Sequence, residues 1–270
     1  MSYTVIMSYY KVKEIYPWLY SIFDPQEVFC YLAVGNERAL LFDTAYGIGS
    51  LSQTVREITD KPLDIVLGHG HVDHANGAYQ FEEVWLHEAD FELCRHHTSE
   101  DFRRTIVKGL KENGALLPVG FDAEAYIKAG TGNLKKLDTG RIFDLGGLHM
   151  EVVGMEGHTA GSIGLLAHEH KVLLDSDAAN LHIWMFLDES LPVSRYTAML
   201  ERVVQLDFDV FFTGHSGVPM PKPLFQKFIS VAHNASVEKS EPYNTFPELK
   251  GFLYTEDGVG IVFSEAKLNC

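Results

Sequence analysis

Cysteine is scarce in this chain of 270 residues, and long apolar runs are absent. The three cysteines, Cys30, Cys94 and Cys270, are widely spaced, which excludes a disulfide framework and a CxxC metal knuckle. No apolar stretch approaches the roughly 20 residues that a membrane-spanning helix needs. The first residues alternate in polarity instead of forming the apolar segment of a signal peptide. We therefore expect a soluble protein of the cytoplasm.

Basic residues are also few, with 22 Lys and Arg against 37 Asp and Glu, and the formal net charge is −15. This charge repels phosphate backbones and anionic lipids, so we expect neither a nucleic-acid partner nor a membrane partner. A small anionic substrate is still compatible with it, because bound metal ions would dominate the field inside a site. The expected partner is a small-molecule substrate, and the sequence leaves open whether the chain forms a homodimer.

Strand-like segments outnumber helical ones. Runs of β-branched and aromatic residues such as WLYSIF, VFCYLAV and KVLLDS predict strands on both sides of a helical insertion at about 88–136. A hairpin is predicted at about 251–264, with its turn at Glu256, Asp257 and Gly258. Hydrophobic residues make up 46% of the chain, enough for a packed core. We expect one α/β (α+β) domain over residues 1–270, with packed sheets inside and helices outside.

One short stretch is rich in residues that bind metals: His69-Gly70-His71-Val72-Asp73-His74. His69 and His71 are two residues apart, so in an extended backbone their side chains leave the same face. Asp73 and His74 follow where the chain turns. Imidazoles and carboxylates that converge at roughly 2.0–2.2 Å are what a transition metal needs. The stretch therefore predicts a metal site.

Three further candidate ligands stand at the ends of apolar strands. His158 follows HMEVVGM, Asp177 follows KVLLDS, and His215 follows DVFFTG. Small residues next to each of them allow backbones to approach closely, as loops at a binding site often require.

Five segments together resemble the motifs of the metallo-β-lactamase superfamily, in the order in which that family carries them. They are LLFDTAYG with Asp43, HGHVDH, GHTAGS, LLDSDAA and FFTGHSG. The resemblance implies an αββα sandwich and two divalent transition metals, with zinc expected and iron or manganese compatible with the same donors. It implies hydrolysis by a hydroxide that bridges the metals, with Asp73 also guiding a proton. The implied ligands are His69, His71 and His158 for the first metal, Asp73, His74 and His215 for the second, Asp177 as the bridge, and Asp43 as the residue that orients ligands.

The sequence departs from the family pattern before the bridge. Ser176 stands where the family usually has glycine, between Asp175 and Asp177. Alignment of the preceding strand assigns the bridge to Asp177, and Asp175 stays open as an alternative.

The segment after Asp177 is the predicted substrate wall. In the family this region often borders the cleft, so we expect His182, Trp184 or Phe186 to contact substrate. The helical insertion is expected to act as a lid, with a capping subdomain or a dimer surface as the alternatives. The other histidines are expected outside the site: His96 and His97 on a helix surface, His168 and His170 in a solvated turn, and His87 and His149 beside strands.

Fold alone does not select the reaction. A β-lactamase is disfavoured by the predicted bridging aspartate and the absence of a signal peptide, glyoxalase II by the C-terminal hairpin, and a nuclease by the charge. This leaves hydrolysis of a small-molecule ester, lactone, thioester or phosphoester. One alternative is a mononuclear-iron oxidoreductase similar to persulfide dioxygenases, which hold iron by two histidines and an aspartate. A non-catalytic metal-binding domain is the other.

Overall fold

The computed structural model describes residues 9–246 and 249–268. Cys30 and Cys94 are buried with free thiols, and Cys270 lies outside the described residues. Within the described ranges, no helix is both long and apolar enough to cross a membrane.

A seven-stranded sheet is formed by the N-terminal half of the chain. Its strands follow one another in sequence order, β1-β2-β3-β4-β5-β6-β7, first antiparallel and then parallel from β4 onwards. The strands are β1 (Lys11–Tyr16), β2 (Leu19–Phe23), β3 (Phe29–Val34), β4 (Ala39–Phe42), β5 (Leu63–Val66), β6 (Val84–His87) and β7 (Leu134–Leu137).

A six-stranded sheet forms the second layer, in the order β14-β13-β11-β10-β9-β8. Its strands are β8 (Ile142–Asp144), β9 (His149–Gly154), β10 (Ile163–Ala167), β11 (Val172–Ser176), β13 (Val210–Thr213) and β14 (Ser216–Pro221). A four-stranded sheet, in the order β12-β17-β16-β15, lies beside it. Its strands are β12 (His182–Met185), β15 (Glu241–Phe246), β16 (Leu249–Glu256) and β17 (Val259–Phe263).

The two larger sheets pack face to face. Phe42 and Val66 of the first sheet share one buried cluster with Leu165 and Leu174 of the second. Adjacent residues on these strands, such as Leu173, point to the opposite face because side chains alternate along a strand. There they pack against helices, so both faces of each central strand are apolar. This arrangement confirms the predicted αββα sandwich.

Helices cover the outer faces. The helices are α1 (Leu51–Ile58), α2 (Val72–Ala75), α3 (Phe91–His97), α4 (Glu100–Glu112), α5 (Ala123–Ile127), α6 (Val193–Val203), α7 (Leu224–Asn234) and α8 (Glu265–Leu268). The segment 88–136 carries α3, α4 and α5, while its last residues, from Leu134, already belong to the seven-stranded sheet.

A buried arginine ties this helical segment to the loop that precedes it. Arg103 of α4 donates to the backbone oxygen atoms of Thr98 at 3.0 Å, Asn76 at 2.9 Å and Gly130 at 2.8 Å. Its guanidinium lies over the rings of Tyr79 and Tyr126, 5.0 and 4.7 Å from their centroids. Since Asn76 is two residues after His74, the helices are anchored directly on the histidine-rich stretch.

Candidate metal centre

The candidate ligands lie on loops at one edge of the sandwich. The loops that follow β5, β9, β11 and β13 carry His69, His158, Asp177 and His215 respectively. β11 and β13 are parallel, and β9 runs in the same direction because β10 is antiparallel to both β9 and β11. The carboxyl ends of these strands therefore meet at the same edge, where ligand sites of layered α/β folds form.

Three buried histidines form the three-histidine cluster, which consists of His69, His71 and His158. His71 Nδ1 lies 3.0 Å from His69 Nε2 and 2.9 Å from His158 Nε2. Ligands of one tetrahedral zinc ion lie about 3.3 Å apart when the bonds are about 2.0 Å long. Burial lowers the pKa of His158 to about 4 and holds that of His69 well below its usual value. Both imidazoles are therefore neutral at pH 7, which is the form that binds metal.

Two aspartates and two histidines form the mixed cluster: Asp73, His74, Asp177 and His215. His215 Nε2 lies 3.2 Å from Asp177 Oδ2 and 3.4 Å from Asp73 Oδ2. His74 Nε2 lies 3.5 Å from each of the same two oxygen atoms. This buried nitrogen makes no hydrogen bond to any residue that the structure describes. A buried donor atom facing two carboxylates at these separations fits a metal ion.

Charge distinguishes the mixed cluster from the three-histidine cluster. Asp177 raises the pKa of His215 to about 10. Burial alone would lower the pKa of His74, but the attraction of Asp177 and Asp73 outweighs burial and raises it well above its usual value. The same attraction holds the pKa of Asp73 and Asp177 well below the usual range, although burial opposes it. Without metal, this cluster is a set of ion pairs.

Asp177 lies between the two clusters. Its Oδ2 belongs to the mixed cluster and is 4.0 Å from His158 Nε2, while its Oδ1 accepts a hydrogen bond of 3.1 Å from Asn180. Asp175, the alternative, joins neither cluster among the described residues. It is fully buried, and burial raises the pKa of its carboxyl well above the usual range. The structure therefore brings Asp177, not Asp175, to the metal donors.

Comparison with known proteins agrees with this geometry. The profile described as "Metallo-beta-lactamase superfamily" matches residues 23–215, which is most of the chain. The chain belongs to this superfamily. It is 28% identical over 194 residues to the human acyl-coenzyme A thioesterase MBLAC2, covering 65% of this chain and 67% of that one. It is also 28% identical over 155 residues to the hydroxyacylglutathione hydrolase GloC of Haemophilus influenzae, covering 55% and 65%.

A solved structure has the same fold. The metallo-beta-lactamase from Pontibacter korlensis superposes with a TM-score of 0.58 at 17% identity, over 84% of this chain and 100% of that one. Within the superfamily, the relatives and the donor clusters identify this chain as a metal-dependent hydrolase.

Asp43, to which the family resemblance assigns the orienting of ligands, contacts the mixed cluster of this superfamily member. Its Oδ2 accepts hydrogen bonds from His74 Nδ1 at 2.9 Å and from Ser176 Oγ at 2.7 Å. Its Oδ1 accepts from the backbone N–H of Gly68 at 2.7 Å. Ser176 Oγ also lies 3.2 Å from His69 Nδ1. The serine that departs from the family pattern thus links a histidine of each cluster to one buried carboxylate.

Asp90 is a supporting residue that the sequence analysis missed. Its buried carboxylate accepts hydrogen bonds from the backbone N–H groups of Gly70 at 2.9 Å and Gly161 at 2.7 Å, and from Thr159 Oγ1 at 2.7 Å. It therefore joins the loop of His69 and His71 to the loop of His158. Nothing local in the sequence distinguishes Asp90 from any acidic residue at the start of a helix.

The predicted surface position of His97 is wrong. Its ring stacks on that of His71, with centroids 5.0 Å apart and planes 19° from parallel, and its Nδ1 accepts from the backbone N–H of Val72 at 3.2 Å. His97 is the last residue of α3, and helical spacing alone does not show that this end of the helix lies against His71. His96 is exposed, as expected. Glu189, also missed, contacts His71 Nε2 through Oε1 at 2.6 Å.

The predicted substrate residues occupy three different environments along β12 and just beyond it. His182 is exposed, Trp184 is half-buried and Phe186 is buried. The Trp184 and Phe186 rings pack edge to face at 5.4 Å, and Tyr243 of β15 contacts both. The backbone oxygen of Trp184 accepts a hydrogen bond from His158 Nδ1 at 2.7 Å. The segment therefore reaches the metal donors through its backbone.

The remaining histidines lie outside both clusters. His149 is half-buried and contacts Glu169, and His168 is exposed and contacts Glu151. His87 Nδ1 accepts from the backbone N–H of Ala89. His170 is exposed but stacks on Trp18 with ring centroids 4.4 Å apart.

Proposed function

We propose that this chain hydrolyses acyl thioesters at a centre of two divalent metals. The position of Asp177 Oδ2 carries the proposal, because donors of both clusters lie within 4.0 Å of this single oxygen. One carboxylate oxygen shared by two clusters supports two neighbouring metals rather than two independent sites. A mononuclear iron site of two histidines and one aspartate would leave most of these donors without a role.

The relatives support the thioester among the ester-like bonds. One is named as a thioesterase of acyl-coenzyme A, and another as a hydrolase of hydroxyacylglutathione, in which an acyl group is joined to a thiol. A thiol has a pKa near 8.5, so thiolate leaves at neutral pH with less need of a proton donor than an alkoxide. This suits a site in which the nearest carboxylates and imidazoles serve as metal donors.

The seven donors fit two metals in the arrangement that the family implies. His69, His71 and His158 would hold one metal, Asp73, His74 and His215 the other, and Asp177 both, with zinc expected and iron or manganese compatible. Bound there, such metals supply Lewis acidity and acidify water at neutral pH. Asp73 is half-buried, which supports the proposal that its carboxylate would also pass a proton between the site and solvent. Asn180 donates a hydrogen bond to Asp177 Oδ1, the oxygen outside the mixed cluster, and so fixes the orientation of the carboxylate.

We propose that the acyl group lies against Trp184, with His182 and Phe186 as the neighbouring parts of the same wall. The half-buried indole of Trp184 offers an apolar face, and the backbone oxygen of the same residue accepts a hydrogen bond from His158.

A substrate panel on protein of measured metal content tests the proposal. The panel contains acyl-coenzyme A, acylglutathione, a lactone, an alkyl ester and a phosphodiester, with Asp177→Ala as the matched inactive control. We expect thioester turnover to exceed the rest and to scale with metal content up to two per chain. Faster turnover of a lactone or phosphodiester would overturn the substrate. One iron per chain together with oxygen uptake would show that the chain is the mononuclear-iron oxidoreductase. Metal binding without turnover of any substrate would show that it is the non-catalytic metal-binding domain.

A further inference from the structure

A third group of potential metal donors surrounds His71. The side chains of His71, His97 and Glu189 come close enough together to be considered for a metal ion. His71 Nε2 and Glu189 Oε1, however, are only 2.6 Å apart. Two ligands of one tetrahedral ion lie about 3.3 Å apart, as the donors of the mixed cluster do, whereas 2.6 Å is a short charge-assisted hydrogen bond. The third group is therefore a hydrogen-bonded support for His71.

The two ring nitrogens of His71 face different partners. Nδ1 is directed at His69 and His158, and Nε2 is directed at Glu189. A neutral imidazole that binds metal through Nδ1 must carry its proton on Nε2. A carboxylate that accepts this proton selects the required tautomer and makes the ring a stronger ligand.

The residues on either side of Glu189 in the sequence form hydrogen bonds with His158. The backbone oxygen of Trp184 accepts from His158 Nδ1, and Ser190 Oγ donates to the backbone oxygen of His158 at 2.9 Å. Lys267 of α8 donates to the backbone oxygen atoms of Asp188, at 2.8 Å, and of Ser190. The carboxylate is therefore anchored on both sides by its sequence neighbours.

We infer that Glu189 is a positioning residue for the three-histidine cluster, fixing the tautomer and orientation of His71, with His97 stacked on the ring to limit its rotation. The inference rests on metal binding by this cluster and is independent of which thioester, if any, is the substrate. It assigns a function to the segment between β12 and α6 that differs from contact with substrate.

The test compares Glu189→Ala and Glu189→Gln with Glu169→Ala. Glu169 is the matched control, because its carboxylate contacts His149 Nδ1 at 2.5 Å on the surface and neither residue belongs to a donor cluster of the described chain. Zinc affinity is measured by competition with a chromophoric chelator, and the His71 tautomer by the nitrogen-15 shifts of the metal-free protein. We expect Glu189→Ala to weaken the affinity of one of two zinc ions by roughly 10- to 100-fold. Its His71 signals should shift towards the Nδ1-protonated form.

Glu189→Gln keeps an acceptor oxygen but loses the charge, so it should retain the tautomer and lose less affinity. Glu189 is 27% exposed at its side chain, and the metal-free melting temperatures of all three variants are recorded to confirm folding. Unchanged zinc affinity and tautomer in Glu189→Ala would overturn the inference. So would a third zinc ion per chain that is lost in this variant, since Glu189 would then be a ligand.

Discussion

The two donor clusters share an edge of the sandwich and differ in charge and exposure. The three-histidine cluster is buried, and the lowered pKa values of His69 and His158 favour their neutral imidazoles. The mixed cluster contains two carboxylates paired with histidines of raised pKa, and the His215 side chain is 40% exposed. His69 and His158 of the three-histidine cluster can therefore bind a metal ion without losing a proton. A metal ion that binds to the mixed cluster must displace protons from histidines and replace their ion pairs with the carboxylates.

A buried aspartate also lies beside each cluster. Asp90 connects the loops that carry the three histidines, and Asp43 holds His74 of the mixed cluster. Both accept hydrogen bonds from backbone N–H groups of glycines, which fixes loop geometry as well as side chains. The difference between the clusters thus extends beyond the donors to the residues that hold them.

The largest effect is expected at the one residue common to both clusters. Asp177→Ala should lower hydrolysis by more than about 100-fold, beyond what loss of a supporting partner costs, and reduce metal content below two per chain. Asp175→Asn, two residues earlier in β11, is the matched control, and it should keep metal content because its buried carboxyl joins no donor cluster among the described residues. Elemental analysis and turnover of both variants decide this. Reversed results would mean that Asp175 is the shared ligand.

The next effect concerns the support of the three-histidine cluster. Asp90→Ala leaves two backbone N–H groups and one hydroxyl without their acceptor, and each buried orphan costs about 1–3 kcal/mol. We expect the free energy of unfolding of the metal-free protein to fall by about 3 kcal/mol or more in urea titrations. Exposed Asp60→Ala serves as the control and should change it by less than about 0.5 kcal/mol. A loss below 1 kcal/mol would show that the loops hold without Asp90.

The candidate donors could be found in the sequence because they stand in or beside segments that resemble the family's motifs. His69, His71 and Asp73 stand in one short motif, and His158 and His215 follow apolar strands with glycine beside them. The structure brings all seven predicted donors into two groups. Such motifs come directly after strands, and the carboxyl ends of strands that run in the same direction lie at one edge of the fold.

The supporting residues could not be predicted, since their partners are distant in sequence. Glu189 contacts His71 across 118 positions, and Asp90 contacts Gly161 across 71. The four-stranded sheet is similar: β12 pairs in parallel with β17, and no periodicity within β12 reports that pairing. These contacts depend on the packed tertiary structure rather than on a local pattern.

The two clusters are also expected to release different numbers of protons when metal binds, which is a smaller effect than those of the Asp177 and Asp90 variants. At pH 7 the raised pKa values keep His74 and His215 protonated in the metal-free protein, whereas His69 and His158 are neutral. Metal binding at the mixed cluster should therefore release about two protons, and its affinity should rise with pH up to about 10. Calorimetric titration in two buffers of different ionisation enthalpy counts these protons. Release of equal numbers of protons in the two metal-binding steps would show that the clusters do not differ in protonation.

The smallest effect is expected where the substrate wall meets the three-histidine cluster. Trp184→Ala removes a half-buried indole but keeps the backbone oxygen that accepts from His158, so metal affinity should not change. Loss of an aromatic contact worth about 0.5–1.5 kcal/mol predicts a KM for the acyl thioester raised roughly 2- to 10-fold. Thermal stability should fall little, in contrast to Phe186→Ala, where loss of a buried ring costs about 3–5 kcal/mol.

The same variant distinguishes the two ways in which β12 can serve the site. Unchanged metal affinity with raised KM means that the backbone of Trp184 supports His158 while its side chain meets the acyl group. A marked loss of zinc from Trp184→Ala with unchanged KM would show that the indole itself supports the three-histidine cluster. The wall would then have to lie elsewhere, and the helical segment between β6 and β7, anchored through Arg103 on the loop after His74, is the next place to test.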